Sequence, residues 1–99
     1  MLNITKTVEN GQGTLSLEGR LDTMTAPELE QLIRDMLPGL SALTLDFAKL
    51  DYISSAGLRV LLSAQKQMNK QGSMKLINVN DIIMEIFNVT GFADILTIA

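Results

Sequence analysis

Apolar and polar residues alternate at the start of the chain. Leu2 and Ile4 stand among polar neighbours and Thr7-Val8 continues the pattern, which has the two-residue period of a half-buried strand. Glu9-Asn10-Gly11-Gln12-Gly13 carries turn chemistry, and Thr14-Leu15-Ser16-Leu17-Glu18 alternates again, so the pattern predicts a β-hairpin. Gly19 interrupts, and Arg20-Leu21 reads as a short further strand. The period then changes. Leu29, Leu32, Ile33, Met36 and Leu37 form one apolar stripe at helical spacing. Thr25 followed by Glu28 has the form of a capping box, Pro27 suits the first turn, and Pro38-Gly39 stops the helix.

Leu43 to Phe47 reads as a central strand leading into a polar loop, where Leu50 and Ile53 frame Asp51-Tyr52. Ser54-Ser55 opens a second helix that runs to about Gln71 and ends at Gly72-Ser73. Its stripe is Leu58, Leu61, Leu62, Gln65 and Met68, with Arg59, Ser63, Lys66 and Lys70 on the wet face. Val60 lies off the stripe. Met74 to Ile77 is a short strand. Asp81 is placed to cap a third helix, with Ile82, Ile83, Ile86 and Phe87 on its apolar side and Gly91 at its end. Ile95 to Ile98 reads as a last strand. Strands come first, then helix and strand alternate. Short alternating units require parallel strands with right-handed crossovers, and the hairpin requires an antiparallel part. The expected fold is α/β: a mixed sheet with an N-terminal antiparallel hairpin and helices packed on one face.

Composition narrows the chemistry. At 99 residues the chain reads as a single domain, 1–99, and its 46% of hydrophobic residues is enough for a core, which excludes intrinsic disorder. Cysteine and histidine are both absent. Disulfides, thiolate nucleophiles, Ser-His triads and Cys- or His-based metal sites are thereby excluded. The net charge of −3 argues against a nucleic-acid module built on bulk charge. No apolar run approaches the roughly 20 residues of a membrane span, and Met1 to Thr7 has no signal-peptide character. A cytoplasmic protein with little catalytic equipment, no cofactor and no metal is the expectation.

The informative segment runs from Asp46 to Leu58: a strand, a loop, two serines at a helix start, then Gly57 in the first turn. One serine is explained as an N-cap, whose oxygen accepts from an orphan backbone N–H. The second is a surplus hydroxyl beside a positive helix end, where a phosphate would be accommodated. Gly57 costs up to about 1 kcal/mol against Ala in a helix, so close backbone approach is expected there. Asp22 fits an Asx turn or, equally, a contact surface beside the serines. Arg59, one turn after Ser55, belongs to a solvated face and is also placed to touch an acidic partner. Asp46 invites a phospho-aspartate reading, but Leu2 to Val8 offers no acidic pair to hold magnesium. Met24 is the one methionine expected at the surface. Asn10-Gly11-Gln12-Gly13 lacks both the context and the Lys of a phosphate loop.

Leu45-Asp46-Phe47 and Leu50-Asp51-Tyr52-Ile53-Ser54-Ser55-Ala56-Gly57-Leu58 together resemble the signature of the STAS family of bacterial anti-sigma factor antagonists. Gly19-Arg20-Leu21-Asp22 with Thr23, Ala26 and Leu29, then Leu76 to Val79 and Ile86 to Phe92, resemble that family's other segments in order and spacing. The resemblance implies a partner, an anti-sigma factor with serine kinase activity, which phosphorylates the serine two residues before the helix glycine, here Ser55. Phosphorylation releases the partner, and a metal-dependent serine phosphatase restores binding. It implies a contact surface of Asp22, Thr23, Ser54, Ala56, Gly57 and Arg59. Ser54 stands where the best-known members carry Asp, and Ala56 where they carry a second Ser or Thr. The chain stops at Ala99, before the further helix that many relatives add. Two other readings compete. One is an enzyme subunit or phosphocarrier that passes on a seryl-phosphate, against which stands the absence of His and Cys and of any general base near the serines other than Asp22, Asp46 and Asp51. The other is a STAS accessory subunit of a transporter or lipid-transport complex, never phosphorylated.

Overall fold

The computed structural model describes residues 1–99. Two strands, β1 (Leu2–Glu9) and β2 (Gln12–Leu21), form the hairpin. They are joined by Asn10 and Gly11 alone, with φ of 52° and 77°. Two successive left-handed residues make the turn whose twist matches a hairpin, and Asn-Gly is the pair that tolerates it. The turn is therefore tighter than the five-residue stretch expected, and Gln12 and Gly13 already belong to β2. Helix α1 (Ala26–Met36) crosses to β3 (Ala42–Ile53), α2 (Ser55–Gln71) to β4 (Ser73–Ile77), and α3 (Asp81–Thr90) follows. The sheet order is β1-β2-β3-β4, antiparallel in the first pair and parallel in the other two. This is the mixed sheet that the order of elements requires.

One face of the sheet is apolar and the other is not. Leu15, Leu17, Leu43, Leu45, Phe47, Met74 and Leu76 are buried under the helices, while Thr14, Ser16, Thr44, Asp46 and Lys75 alternate onto a face that no helix covers. Phe87 of α3 packs against Phe47, ring centroids 6.3 Å apart, and Leu61 and Met68 of α2 are fully buried. Val60 and Ala64 are buried too. The hidden face of α2 is displaced from its expected stripe toward Val60 and Ala64, with α1 packed against the helix, and Leu62 is only half-buried.

Five local expectations are corrected. β3 does not end at Phe47 but runs through the polar stretch to Ile53. Two register shifts against β2, at Ser16/Glu18 and Gly19/Arg20, let Phe47, Leu50 and Ile53 all turn inward where strict alternation would not. Arg20-Leu21 is accordingly the end of β2, not a separate strand. Thr25 forms no capping box: its hydroxyl accepts from the Asp22 amide at 2.8 Å and donates to the Arg20 carbonyl at 2.9 Å. The cap of α3 is Asn80, not Asp81, and Ile82 is 69% exposed, because the core face of α3 is made by the buried Ile83 and Phe87 with Met84 and Ile86 packed partly buried beside them. Finally, Ile95 to Ile98 is not a strand. The chain is still turning at Ile95 and Leu96, whose amides donate to the Phe92 carbonyl. After them the segment makes a single parallel bridge, Leu76 with Ile98.

Candidate functional site

The site lies at the C-terminal end of the parallel strands, where α2 begins. β2 and β3 end side by side at Leu21 and Ile53, and the Ser54 amide donates to the Leu21 carbonyl at 2.9 Å. Ser54 has extended backbone and is the N-cap. Its hydroxyl accepts from the Gly57 amide at 3.4 Å, and its carbonyl accepts from Leu58 at 3.0 Å. Ser55 is the first helical residue. It is exposed, and its hydroxyl bonds to no other protein group. The amides of Ser55 and Ala56 also have no protein partner, and the first turn of α2 contains no acidic residue. The positive end of the helix dipole is thus uncompensated beside a free hydroxyl.

Gly57 is explained by packing. A Cβ there would stand 2.7 Å from Leu21 Cγ and 2.9 Å from Ile53 Cγ1. The missing side chain lets α2 start directly on the two strand ends. The close approach expected from the sequence is to the protein's own core.

Asp22 closes the neighbouring turn. One carboxylate oxygen accepts from the Met24 amide at 3.0 Å, the Thr25 amide at 3.1 Å and the Thr25 hydroxyl at 3.2 Å. Loss of solvation pushes its pKa up. The hydrogen bonds from the Thr25 and Met24 amides and the Thr25 hydroxyl, with the N-terminal ammonium, outweigh this and hold it below the usual carboxylate value. The Asx-turn role is therefore filled, and it leaves the second oxygen facing outward, 3.7 Å from Arg20 Nε. Between this turn and α2 is a hollow of about 190 Å³ lined by Thr23, Ala26, Pro27, Glu30, Ala56, Arg59 and Val60. Thr23, Ala56 and Arg59 are thus brought to one surface. Ser54 does not line the hollow: it is half-buried with its hydroxyl on the Gly57 amide, and Gly57 is buried. Met24, 87% exposed, projects from the rim. Asp46 lies apart, mid-strand on the helix-free face, and its carboxylate accepts from Asn78 Nδ2 at 3.0 Å and the Ala48 amide at 2.9 Å.

Two residues at this end went unread in the sequence. Arg20 and Tyr52 are cross-strand partners, and the guanidinium carbon lies 4.2 Å from the ring centroid. The available signal was parity. Each immediately precedes an inward-facing strand end, Leu21 or Ile53, so both point to the same side of the sheet.

Comparison with known proteins gives the family and the fold. Residues 4–97 match the family model described as "Mlab, STAS domain". BtrV of Bordetella bronchiseptica, provisionally named an anti-sigma factor antagonist, is 38% identical over 85 residues, covering 84% of this chain and 73% of that protein. The crystal structure of an anti-sigma factor antagonist from Mycobacterium paratuberculosis superposes with a TM-score of 0.89 at 21% identity, over 99% of this chain and 85% of that one. The Bacillus cell fate determinant SpoIIAA in its phosphorylated form superposes at 0.76 with 17% identity, over 100% and 91%. No helix is long and apolar enough to cross a membrane. With a family model matching nearly its whole length and the fold of its structural neighbours, the chain belongs to the STAS domain family of anti-sigma factor antagonists.

Proposed function

We propose that the chain is a phosphorylation-controlled binding module without catalytic activity, acting in the cytoplasm. Unphosphorylated, it binds an anti-sigma factor that is also a serine kinase and so frees a sigma factor. Phosphorylation of Ser55 ends that binding, and a metal-dependent serine phosphatase restores it. The observation that carries this reading is the division of labour between two adjacent serines. Ser54 is occupied as a cap, while Ser55 offers an exposed, unbonded hydroxyl at an uncompensated helix end. The names of BtrV and of phosphorylated SpoIIAA support it.

The mechanism follows from charge. A phosphate on Ser55 adds about −1.5 to −2 charges at pH 7. The free amides and the dipole accept that charge, so the domain stays folded. The effect falls on the interface made by Asp22, Thr23, Ala56 and Arg59, where the dianion must be desolvated or clashes. A loss of about 3 kcal/mol lowers affinity roughly a hundredfold, enough for release. The test is incubation with ATP and each anti-sigma factor kinase encoded in the same genome, followed by mass spectrometry. Phosphate is expected on Ser55, and Ser55→Ala is expected to bind constitutively. Phosphate on Ser54 alone, or on neither serine, overturns the assignment.

A second reading rests on the description of the family model, which names Mlab and not an antagonist. An accessory subunit of a transporter or lipid-transport complex would stay unphosphorylated and co-purify with a permease.

A further inference from the structure

The charged residues at this end of the sheet are not all free to the same degree. Arg20 is fixed from two sides. Its guanidinium carbon Cζ lies over the Tyr52 ring, 4.2 Å from the centroid, and its Nε lies 3.7 Å from Asp22 Oδ2, an ion pair longer than a hydrogen bond. Both supports are themselves held. Tyr52 is in β3, paired through the backbone with Arg20, and Asp22 is locked by three hydrogen bonds within its own turn. The Arg20 side chain is still 54% exposed, and its terminal nitrogens make no hydrogen bond. Four N–H donors are thus held in one place and left unpaired. A planar fork of donors with its rotamer already chosen matches a carboxylate bidentately and loses little further entropy on binding.

Position decides what the fork meets. Leu21 and Ile53 lie under Gly57 of α2, so Arg20 and Tyr52 emerge on the opposite, helix-free side of the same strand ends. Ser55 and the Thr23–Arg59 hollow lie on the helix side, and the Asp22 turn sits between. A protein that covers the start of α2 and folds over this edge reaches both sides. Arg and Tyr are also the residue types that most often dominate binding energy at interfaces.

We propose that Arg20, stacked on Tyr52, is a carboxylate-binding anchor that extends the partner surface around the strand ends onto the helix-free face, and that the partner places an Asp or Glu against it. This rests on the partner-binding reading above. The test is calorimetric titration of the chain with the purified anti-sigma factor kinases of the same genome. Arg20→Ala is expected to weaken binding about ten- to a hundredfold at unchanged melting temperature. Arg20→Lys recovers little, because a point charge is not a fork. Tyr52→Leu, which frees the guanidinium, costs about two- to fivefold. Arg20→Glu is rescued by reversing one acidic residue of the partner to Arg. If the wild-type chain binds none of these proteins, the partner reading itself fails. If it binds and Arg20→Ala binds as tightly, that reading stands and the anchor is overturned. Full recovery by Arg20→Lys also overturns it.

Discussion

Helices α2 and α3 begin in the same way and end up with opposite electrostatics. Each is capped by a side-chain oxygen from a residue in extended backbone, Ser54 accepting from Gly57 and Asn80 from Ile83. The bond at α3 is short, 2.8 Å, and Asn80 also donates to the Leu50 carbonyl at 3.1 Å. Asp81 follows immediately and supplies negative charge to the helix end. At α2 the cap bond is 3.4 Å, and the first turn holds Ser55 where α3 holds an acid. The chain has thus neutralised one helix end with its own side chains and left the other open. The difference shows that similar capping geometry can leave two helix ends with different charge: at α2 the dipole stays uncompensated beside an exposed hydroxyl.

The strongest test of this contrast removes what α2 stands on. Leu61 is fully buried, and Leu61→Ala is expected to cost about 2–5 kcal/mol in denaturant unfolding. A surface-like change of a few tenths would mean that the α2 end is not anchored by its core face. The caps come next. Asn80→Ala loses two bonds and should cost about 1–2 kcal/mol, whereas Ser54→Ala, at the long bond, should cost about 0.5–1 kcal/mol. Equal losses would erase the distinction between the two ends. A charge exchange is smaller and more pointed. Ser55→Asp should stabilise and Asp81→Ser destabilise, each by about 0.3–1 kcal/mol at low salt. If Ser55→Asp lowers the melting temperature, the α2 end is not the electrostatic vacancy described.

Legibility in the sequence follows the same line. The hairpin, the two crossovers and the helix faces of Leu29 to Met36 and Leu58 to Met68 were readable, because each is an unbroken period bounded by Gly or Pro. The serine pair was readable because a cap uses one residue and the sequence supplies two. What was not readable depends on contacts between distant segments. The register shifts that carry β3 past Phe47 depend on how it pairs with β2. Thr25 was assigned to α1 by spacing, but its hydroxyl is taken by Asp22 and Arg20. Asn80 wins the cap over Asp81 because it can also reach Leu50 across the fold. The Arg20–Tyr52 stack needed both the parallel register and the bulge.

The smallest expected effect is on pH dependence. Asp22 and Asp46 both have folded pKa values below the ordinary 3.8. For Asp46 the Asn78 side chain is the main cause, followed by the Ala48 amide, with burial opposing and Lys49 assisting. Carboxyls with depressed values contribute stability that is fully present above the unfolded value and is lost as pH falls through the folded one. Thermal unfolding should therefore be flat in this respect from neutrality to about pH 5, then decline below 3.8. Asp46→Asn should flatten part of that decline. Asp22→Asn keeps the oxygen of the turn and removes the charge, so a variant that melts normally but binds its partner weakly would assign the charge to recognition.

The parallel ladders also govern how fast the chain can fold. The Asn10-Gly11 hairpin pairs neighbours in sequence and can close in microseconds, yet two strands alone are marginal in water. The next pairings join Gln12 with Ala42 and Ala42 with Ser73, each spanning roughly thirty residues and a helix. Loop closure on that scale precedes the contacts that compensate it, so folding should be slower than in a helical bundle of this size. The end of β2 and the start of α2 meet only once β2 and β3 have paired across the α1 crossover. The surface proposed for a partner therefore waits on this long-range pairing, and a chain with only its hairpin formed presents none of it.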